Sequence, residues 1–233
     1  MTNKTIFVML GLLLLSTSVF AMEPPLQKIN AKETCVLDKP GLFKISEVEK
    51  FYKNFKADDW NSYNKNLLDS LEITASVSQS LKNYPAKNLV DRNVNTTWAV
   101  TNSARNNWLE IDIKAEWDIE TTTPFTIKTI GIIPGYSKNA TVWKENNRIK
   151  TARLIIQSKQ IEPDAWSKYE YVSFKLSFPD KMGMHFFVIP DDKQIPNEPM
   201  VKKVWLIIDE VYKGSKYNDT CISEIAFTGG CCN

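Results

Sequence analysis

Histidine is nearly missing from this chain: His185 is the only one among 233 residues. A Ser-His-Asp or Cys-His catalytic set has a single base to draw on, and that base lies in the apolar run Met184–Val188, where a strand residue is the expected role. No P-loop, no G-x-G-x-x-G and no H-E-x-x-H occurs, which removes the usual signatures of nucleotide and zinc-protease chemistry. Excess charge of one sign is lacking too: 29 Lys plus Arg against 27 Asp plus Glu leave a net +2, giving no electrostatic case for nucleic acid or an anionic membrane. Four cysteines without a C-x-x-C, beside one histidine, argue against zinc. No apolar stretch approaches the roughly 20 residues that span a bilayer, and there is no internal repeat or low-complexity tract.

What is present first concerns destination. Lys4, the apolar run Ile6–Leu15 and Val19-Phe20-Ala21 have the form of a secretory signal, so residues 1–21 are expected to be removed, leaving Met22 first and the protein secreted or periplasmic. The first cysteine is Cys35, well past that cut, which gives a bacterial lipoprotein anchor no support. In an oxidising compartment Cys35, Cys221, Cys231 and Cys232 are disulfide candidates. Adjacent Cys231 and Cys232 bond each other only with strain, so they are expected to reach separately to Cys35 and Cys221, or one pair stays open.

Residues 22–70 read as a lead-in, extended at first and then helical. From Ser46 to Leu71, Val48, Phe51, Tyr52, Phe55, Trp60, Tyr63, Leu67, Leu68 and Leu71 recur at three- and four-residue steps, predicting one or two amphipathic helices broken near Asp58-Asp59. Such a face is expected to cap one end of its own domain, with partner binding as the other reading. Residues 71–233 turn strand-like. The runs Leu71–Val77, Trp108–Ile113, Thr126–Ile133, Ile149–Gln157, Tyr169–Phe178, Met184–Ile189, Val201–Val211 and Ile222–Phe227 are rich in β-branched and aromatic residues and are separated by Asn, Asp, Pro and Gly. The fold class predicted is all-β, a jelly-roll sandwich with a short N-terminal helical segment.

The segment Tyr84–Trp98, YPAKNLVDRNVNTTW, is the densest in chemistry. Asp91, Asn93, Asn95 and Thr96 gather hard oxygen donors of the kind Ca²⁺ takes in sixes to eights; an Asx-rich turn without metal is the competing reading. This loop resembles the A-x-N-L-V-D-G-x-x-x-T-x-W loop of the discoidin, or coagulation factor 5/8 type C (galactose-binding-like), family. Val211–Ile225, VYKGSKYNDTCISEI, is similar to the Y-x-G-x-K-Y-x-D-T-C-I-S-E-I ending of one branch, the translocation domain of secreted bacterial NAD glycohydrolases. Ile132–Lys138 with Trp143–Lys150 resembles that branch's I-x-x-G-Y-x-K … K-x-N-x-R-x-K run. The three stretches occur in order and cover roughly Ile73 to Phe227.

The resemblance implies a discoidin-like sandwich and a structural Ca²⁺ held by Asp91, Asn93, Thr96 and Glu224. Arg92 stands where the family has glycine, which puts the tight turn in question. It reaches the accessory module and not the catalytic domain, and too little chain remains for a second enzyme domain. Family 32 carbohydrate-binding modules, which are discoidin-like, imply a glycan or cell-surface glycoconjugate as ligand, and the closer branch implies a role near toxins or their delivery.

Read from the residues, Tyr136 and Trp143 are candidate stacking platforms for a pyranose, with Lys138, Asn139, Asn146, Asn147 and Arg148 as hydrogen-bonding neighbours. The competing reading packs both rings on the sandwich edge and pairs Arg148 with a carboxylate such as Glu145. Lys213, Lys216 and Tyr217 form a second candidate rim, or an ordinary solvated turn. The expected function is a secreted, non-enzymatic carbohydrate-binding module. The alternatives are a protein-interaction domain using the sandwich edge and N-terminal helices, and a glycoside hydrolase built on Glu110 with Asp112, Asp118 with Glu120, or Asp209 with Glu210. The sequons at Asn95, Asn139 and Asn218 matter only for a eukaryotic secretory pathway.

Overall fold

The computed structural model describes residues 24, 35–54, 71–101, 107–115, 125–160, 168–190 and 200–231. The expected signal segment, the helical periodicity beyond Asn54, the pair Asp118 and Glu120, and Cys232 lie outside the described residues. Twelve strands run in chain order: β1 Cys35–Leu37, β2 Gly41–Phe43, β3 Leu71–Val77, β4 Trp98–Val100, β5 Trp108–Ala115, β6 Phe125–Ile133, β7 Arg148–Gln160, β8 Lys168–Ser177, β9 Met184–Val188, β10 Met200–Tyr212, β11 Thr220–Ile222 and β12 Glu224–Cys231. Two short helices, α1 Ile45–Asn54 and α2 Ala140–Glu145, and a 3-10 turn at Ala86–Leu89 complete the described elements.

The strands form a six-stranded sheet ordered β1-β8-β7-β10-β5-β3, a four-stranded sheet ordered β12-β6-β9-β2, and a two-stranded ribbon of β11 and β4. Alternation decides what each face buries. In the large sheet Val204, Leu206 and Ile208 align with Ile111, Leu109, Ile156, Leu154 and Ala152, all in one core. The small sheet answers with Ile130, Ile132, Ile225, Phe227 and Phe187. The two inner faces therefore meet, and the expected β-sandwich is what forms.

All eight strand-like runs appear as strands, the last divided at Ser223 into β11 and β12. The lead-in does more than its prolines and lysines indicated. β1 pairs with β8 in parallel and β2 pairs with β9, so residues 35–43 supply an edge strand to each main sheet. Helix α1 begins with the Glu47 carboxylate accepting from the Lys44 N–H at 2.7 Å, one arm of a capping box. Ile45, Val48 and Tyr52 share one face at helical spacing, and they pack with Ile133, Met184, Phe186 and Ala226. Pairing parity sends those four residues to the outer side of the small sheet. The helix thus covers an apolar outer face, where a cap on the sandwich's end was expected.

The cysteines are only partly placed. Cys35 and Cys221 are free thiols, and Cys221 is buried, with its thiol pushed up to about 12 by burial. From Glu224 to Cys231 the strand climbs about 23 Å at roughly 3.3 Å per residue, and the three residues back to Cys221 recover at most about 11 Å. Their Cα atoms are therefore beyond the roughly 7 Å a disulfide tolerates. A bridge from Cys221 to Cys231, one of the pairings the sequence left open, is excluded.

His185 takes the strand role expected of it. It is fully buried beside Phe178, and its Nε2 lies 2.9 Å from the Lys181 carbonyl, which can only accept, so Nε2 carries the proton. Nδ1 has no partner, and burial lowers the pKa. The fold thus holds the neutral ring. Its stability contribution is complete above the unfolded histidine value of about 6.5 and is lost as pH falls from there through the lower folded value. Melting curves across that interval should show an acid-side loss that shrinks in His185→Gln; an unchanged pH profile would contradict this assignment.

Candidate functional site

The oxygen-rich loop lies between the 3-10 turn and β4. Its turns are closed by its own side chains: Asp91 Oδ1 accepts from the Asn93 N–H at 3.0 Å, Asn93 Oδ1 from the Asn95 N–H at 3.1 Å, and the Thr96 N–H donates to the Asn93 carbonyl at 3.0 Å. Arg92 has φ 58°, so the turn forms in the left-handed region despite the missing glycine, at a cost of about 1–2 kcal/mol. Below the loop, Thr97 donates to the Ile222 carbonyl at 2.9 Å, and the buried Trp98 donates through Nε1 to the Gln79 carbonyl at 3.0 Å. Trp98 thus plugs the core beneath the loop.

Glu224 opens β12 on the outer side of the small sheet and is 1% exposed. Backbone amides of Asn93, Ile225 and Arg92 bond to it, so the loop folds onto this carboxylate. Even so, burial and then the neighbouring Asp91 charge push its pKa up to about 9, and Oε2 has no hydrogen-bond partner. The loop's own oxygens are crowded as well. Thr96 Oγ1 lies 2.8 Å and 3.0 Å from the two Asp91 carboxylate oxygens and 2.8 Å from the Asn93 carbonyl oxygen. One hydroxyl hydrogen can serve one of those acceptors. Crowded oxygens and an orphaned buried carboxylate oxygen are what a hard cation would satisfy. Among the described residues no three His, Cys, Asp or Glu side chains cluster, so the donor set is two carboxylates with neutral oxygens, which fits Ca²⁺ far better than zinc.

In the loop from Gly135 to Arg148 the packed reading, and not the sugar platform, holds for Trp143 and Arg148. Trp143 is 4% exposed and packs with Val48, Val94, Ile133 and Met184. A Cβ on Gly135 would come within 2.8 Å of that indole and 2.5 Å of the Arg148 side chain, so the glycine permits the close packing. Arg148 is buried too. It makes a two-pronged pair with Asp180 at 3.0 and 2.6 Å, and its Nη1 donates to the Asn146 and Lys213 carbonyls. Glu145, the carboxylate expected to pair with Arg148, instead lies 3.6 Å from Lys216. Asn146 donates to the Val142 carbonyl, Asn139 caps α2 by accepting from the Val142 N–H, and Asn147 ties Asn218 to Gly214. Trp143, Asn146 and Arg148 are therefore internal struts, without a face or donor turned to solvent for a sugar.

Tyr136 and Lys138 remain at the surface. Tyr136 is half-buried, edge-on to Tyr84 with ring centroids 6.2 Å apart, and Lys138 is exposed. Tyr84 had no part in the sequence reading, because only the fold brings it beside Tyr136. On the other candidate rim Tyr217 is exposed and carries the Lys216 ammonium 4.8 Å from its ring centroid. Replacing the struts should cost stability. Trp143→Ala is expected to lower it by about 3–5 kcal/mol, and Arg148→Ala by about 2–4 kcal/mol as three acceptors lose a charged donor. Thermal melts check both; either variant melting like the wild type would restore an exposed role.

The family model for the NAD glycohydrolase translocation F5/8 type C domain matches residues 62–228. No curated protein sequence matches significantly. Among solved structures, the CBM32-1 and CBM32-2 domains of Clostridium perfringens ZmpB, in complex with GalNAc, superpose with TM-score 0.45 at 13% identity over 85% of this chain, which spans 40% of theirs. The family 32 module of C. perfringens NanJ, in complex with galactose, gives TM-score 0.41 at 14% identity over 66% of this chain and 92% of that one. CBM32-1 of a C. perfringens family 31 glycoside hydrolase gives TM-score 0.41 at 14% identity over 70% and 97%. The loop that folds onto Glu224, the sandwich beneath it and the matched span describe one domain: the chain belongs to the NAD glycohydrolase translocation F5/8 type C domain family.

Proposed function

We propose that this protein is a secreted, non-catalytic module that binds carbohydrate or a glycoconjugate and is stapled by a structural Ca²⁺. Asp91, Asn93, Thr96 and Glu224 would hold the ion, which supplies the positive charge their crowded oxygens lack. The glycan reading is carried by the surface beside the β4–β11 ribbon. There the half-exposed Tyr84–Tyr136 pair offers a ring for the apolar face of a pyranose, and the exposed Lys138 offers donors for its hydroxyls. The described carboxylate pairs are all engaged by cations, which speaks against hydrolysis. Lys203 bridges Glu110 and Asp112, Arg153 pairs with Asp209, and Lys150 pairs with Glu210. Glu110 also accepts from the Trp205 indole N–H at 3.0 Å.

A glycan array tests this directly: the wild type should show signal, and Tyr136→Ala should lower affinity by about 1–3 kcal/mol through lost aromatic contact. An array without wild-type signal would remove the carbohydrate reading. A second reading, a protein partner along the sandwich edge, has its own support. Phe43 on β2 is 50% exposed and Val188 on the adjoining β9 is 68% exposed, more apolar surface than a free strand edge usually shows.

Secretion carries a consequence for the thiols. Cys35, a free thiol as it stands, is proposed to bridge on oxidation to Cys231 or Cys232, with Cys221 remaining a buried thiol. Closing a loop of about 200 residues contributes on the order of 4–5 kcal/mol in the chain-entropy model. Mass mapping of the unreduced protein should find that one bridge; four free thiols would contradict both the bridge and the oxidising compartment.

A further inference from the structure

We infer that helix α1 is a working part of the cation site: Tyr52 and Glu49 close it from above, so that seating of the N-terminal helix and binding of a divalent cation are one coupled event. The inference rests on the cation reading of Asp91 and Glu224. It adds a component from outside the family-matched span, because α1 ends at Asn54 and the match begins at residue 62.

Three contacts carry it. Val48 is buried in the same apolar cluster as Val94, which belongs to the loop, and Ile133, which lies opposite Glu224 on the sheet. One turn of helix therefore grips loop and sheet together. At the rim, Glu49 Oε1 accepts from Asn95 Nδ2 at 3.3 Å, so the helix holds the loop by a side chain as well. The third is Tyr52, half-buried on the same face of the helix, with Glu224, Arg92 and Asp91 as its charged neighbours. The helix roofs the carboxylate that the loop amides reach from the side. Glu224 is buried although it points to the outer side of its sheet, and the covering helix is what makes that possible.

The physical consequence follows from linkage. A cation draws Asp91 and Glu224 together and fixes the loop against which Val48 and Glu49 pack, so it must tighten the helix; by reciprocity, a well-seated helix must raise cation affinity by the same factor. The helix thus links the state of the N-terminal segment to the state of the ion.

The test uses the full chain and Ca²⁺ alone as probe, with calorimetry and amide hydrogen exchange run side by side. Ca²⁺ should slow exchange in Ile45–Asn54 as well as in residues 91–96. Tyr52→Ala, which removes the ring that seats the helix beside the site, should weaken Ca²⁺ binding by about 5-fold or more, the low end of ordinary coupling between sites, and Glu49→Ala should reduce the protection of α1. If Ca²⁺ binds and protects the loop while exchange in α1 and the affinity of both variants stay at wild-type values, the coupling is overturned and the cation reading stands. If the wild type gives no binding heat and no added protection anywhere, the cation reading falls and takes the coupling with it.

Discussion

A buried carboxylate that lacks a counter-charge organises this end of the molecule. Glu224 begins β12 on the outer side of the small sheet, where a charged group would ordinarily meet water. Instead the oxygen-rich loop folds onto it from the side with the amides of Asn93 and Arg92, and α1 covers it from outside. Arg92 accepts a left-handed backbone to make this possible, and Asp91 is brought close enough to oppose ionisation of Glu224. Each of these arrangements is unfavourable alone. Together they crowd oxygens around one buried carboxylate, on a sandwich whose two faces supply the bulk of the stabilising burial.

The same economy of polar groups explains the neighbouring loop. Residues rich in donors, Arg148, Asn146 and Asn147, are turned inward to satisfy carbonyls of the 213–219 segment and the end of α2. Gly135 lets Trp143 lie against Arg148, and Trp143 in turn joins the cluster beneath α1. Cation loop, Trp143 loop and N-terminal helix are therefore one packed unit. A ligand surface on this end has to be built from what is left outside, chiefly Tyr84, Tyr136, Lys138 and Tyr217.

The long strands were legible because alternation and β-branched runs report directly on half-buried sheets, as at Leu109, Ile111 and Ile113. β1, β2 and β4 were not, because three residues are too few to show a period. The oxygen donors of the loop could be read from local composition, since Asx residues act on their near neighbours, whereas Glu224 entered only through resemblance. What stayed hidden depends on separation in sequence. Asp180 lies 32 residues from Arg148, and nothing local marks it as the partner in place of Glu145. Tyr52 read as part of an amphipathic stripe and Glu49 was not singled out, with no sign that either would reach the loop. Trp143 was open to two readings because a large aromatic suits a core and a platform equally.

The most direct measurement is a crystal structure of the protein grown with Ca²⁺, with anomalous data collected to identify the ion. The account predicts a calcium peak at about 2.3–2.6 Å from Glu224 Oε2 and an Asp91 carboxylate oxygen, with the Asn93 carbonyl or Thr96 hydroxyl completing its shell. A Ca²⁺-containing crystal in which Glu224 Oε2 instead bonds a water or a protein donor, with no anomalous density in the loop, would contradict it.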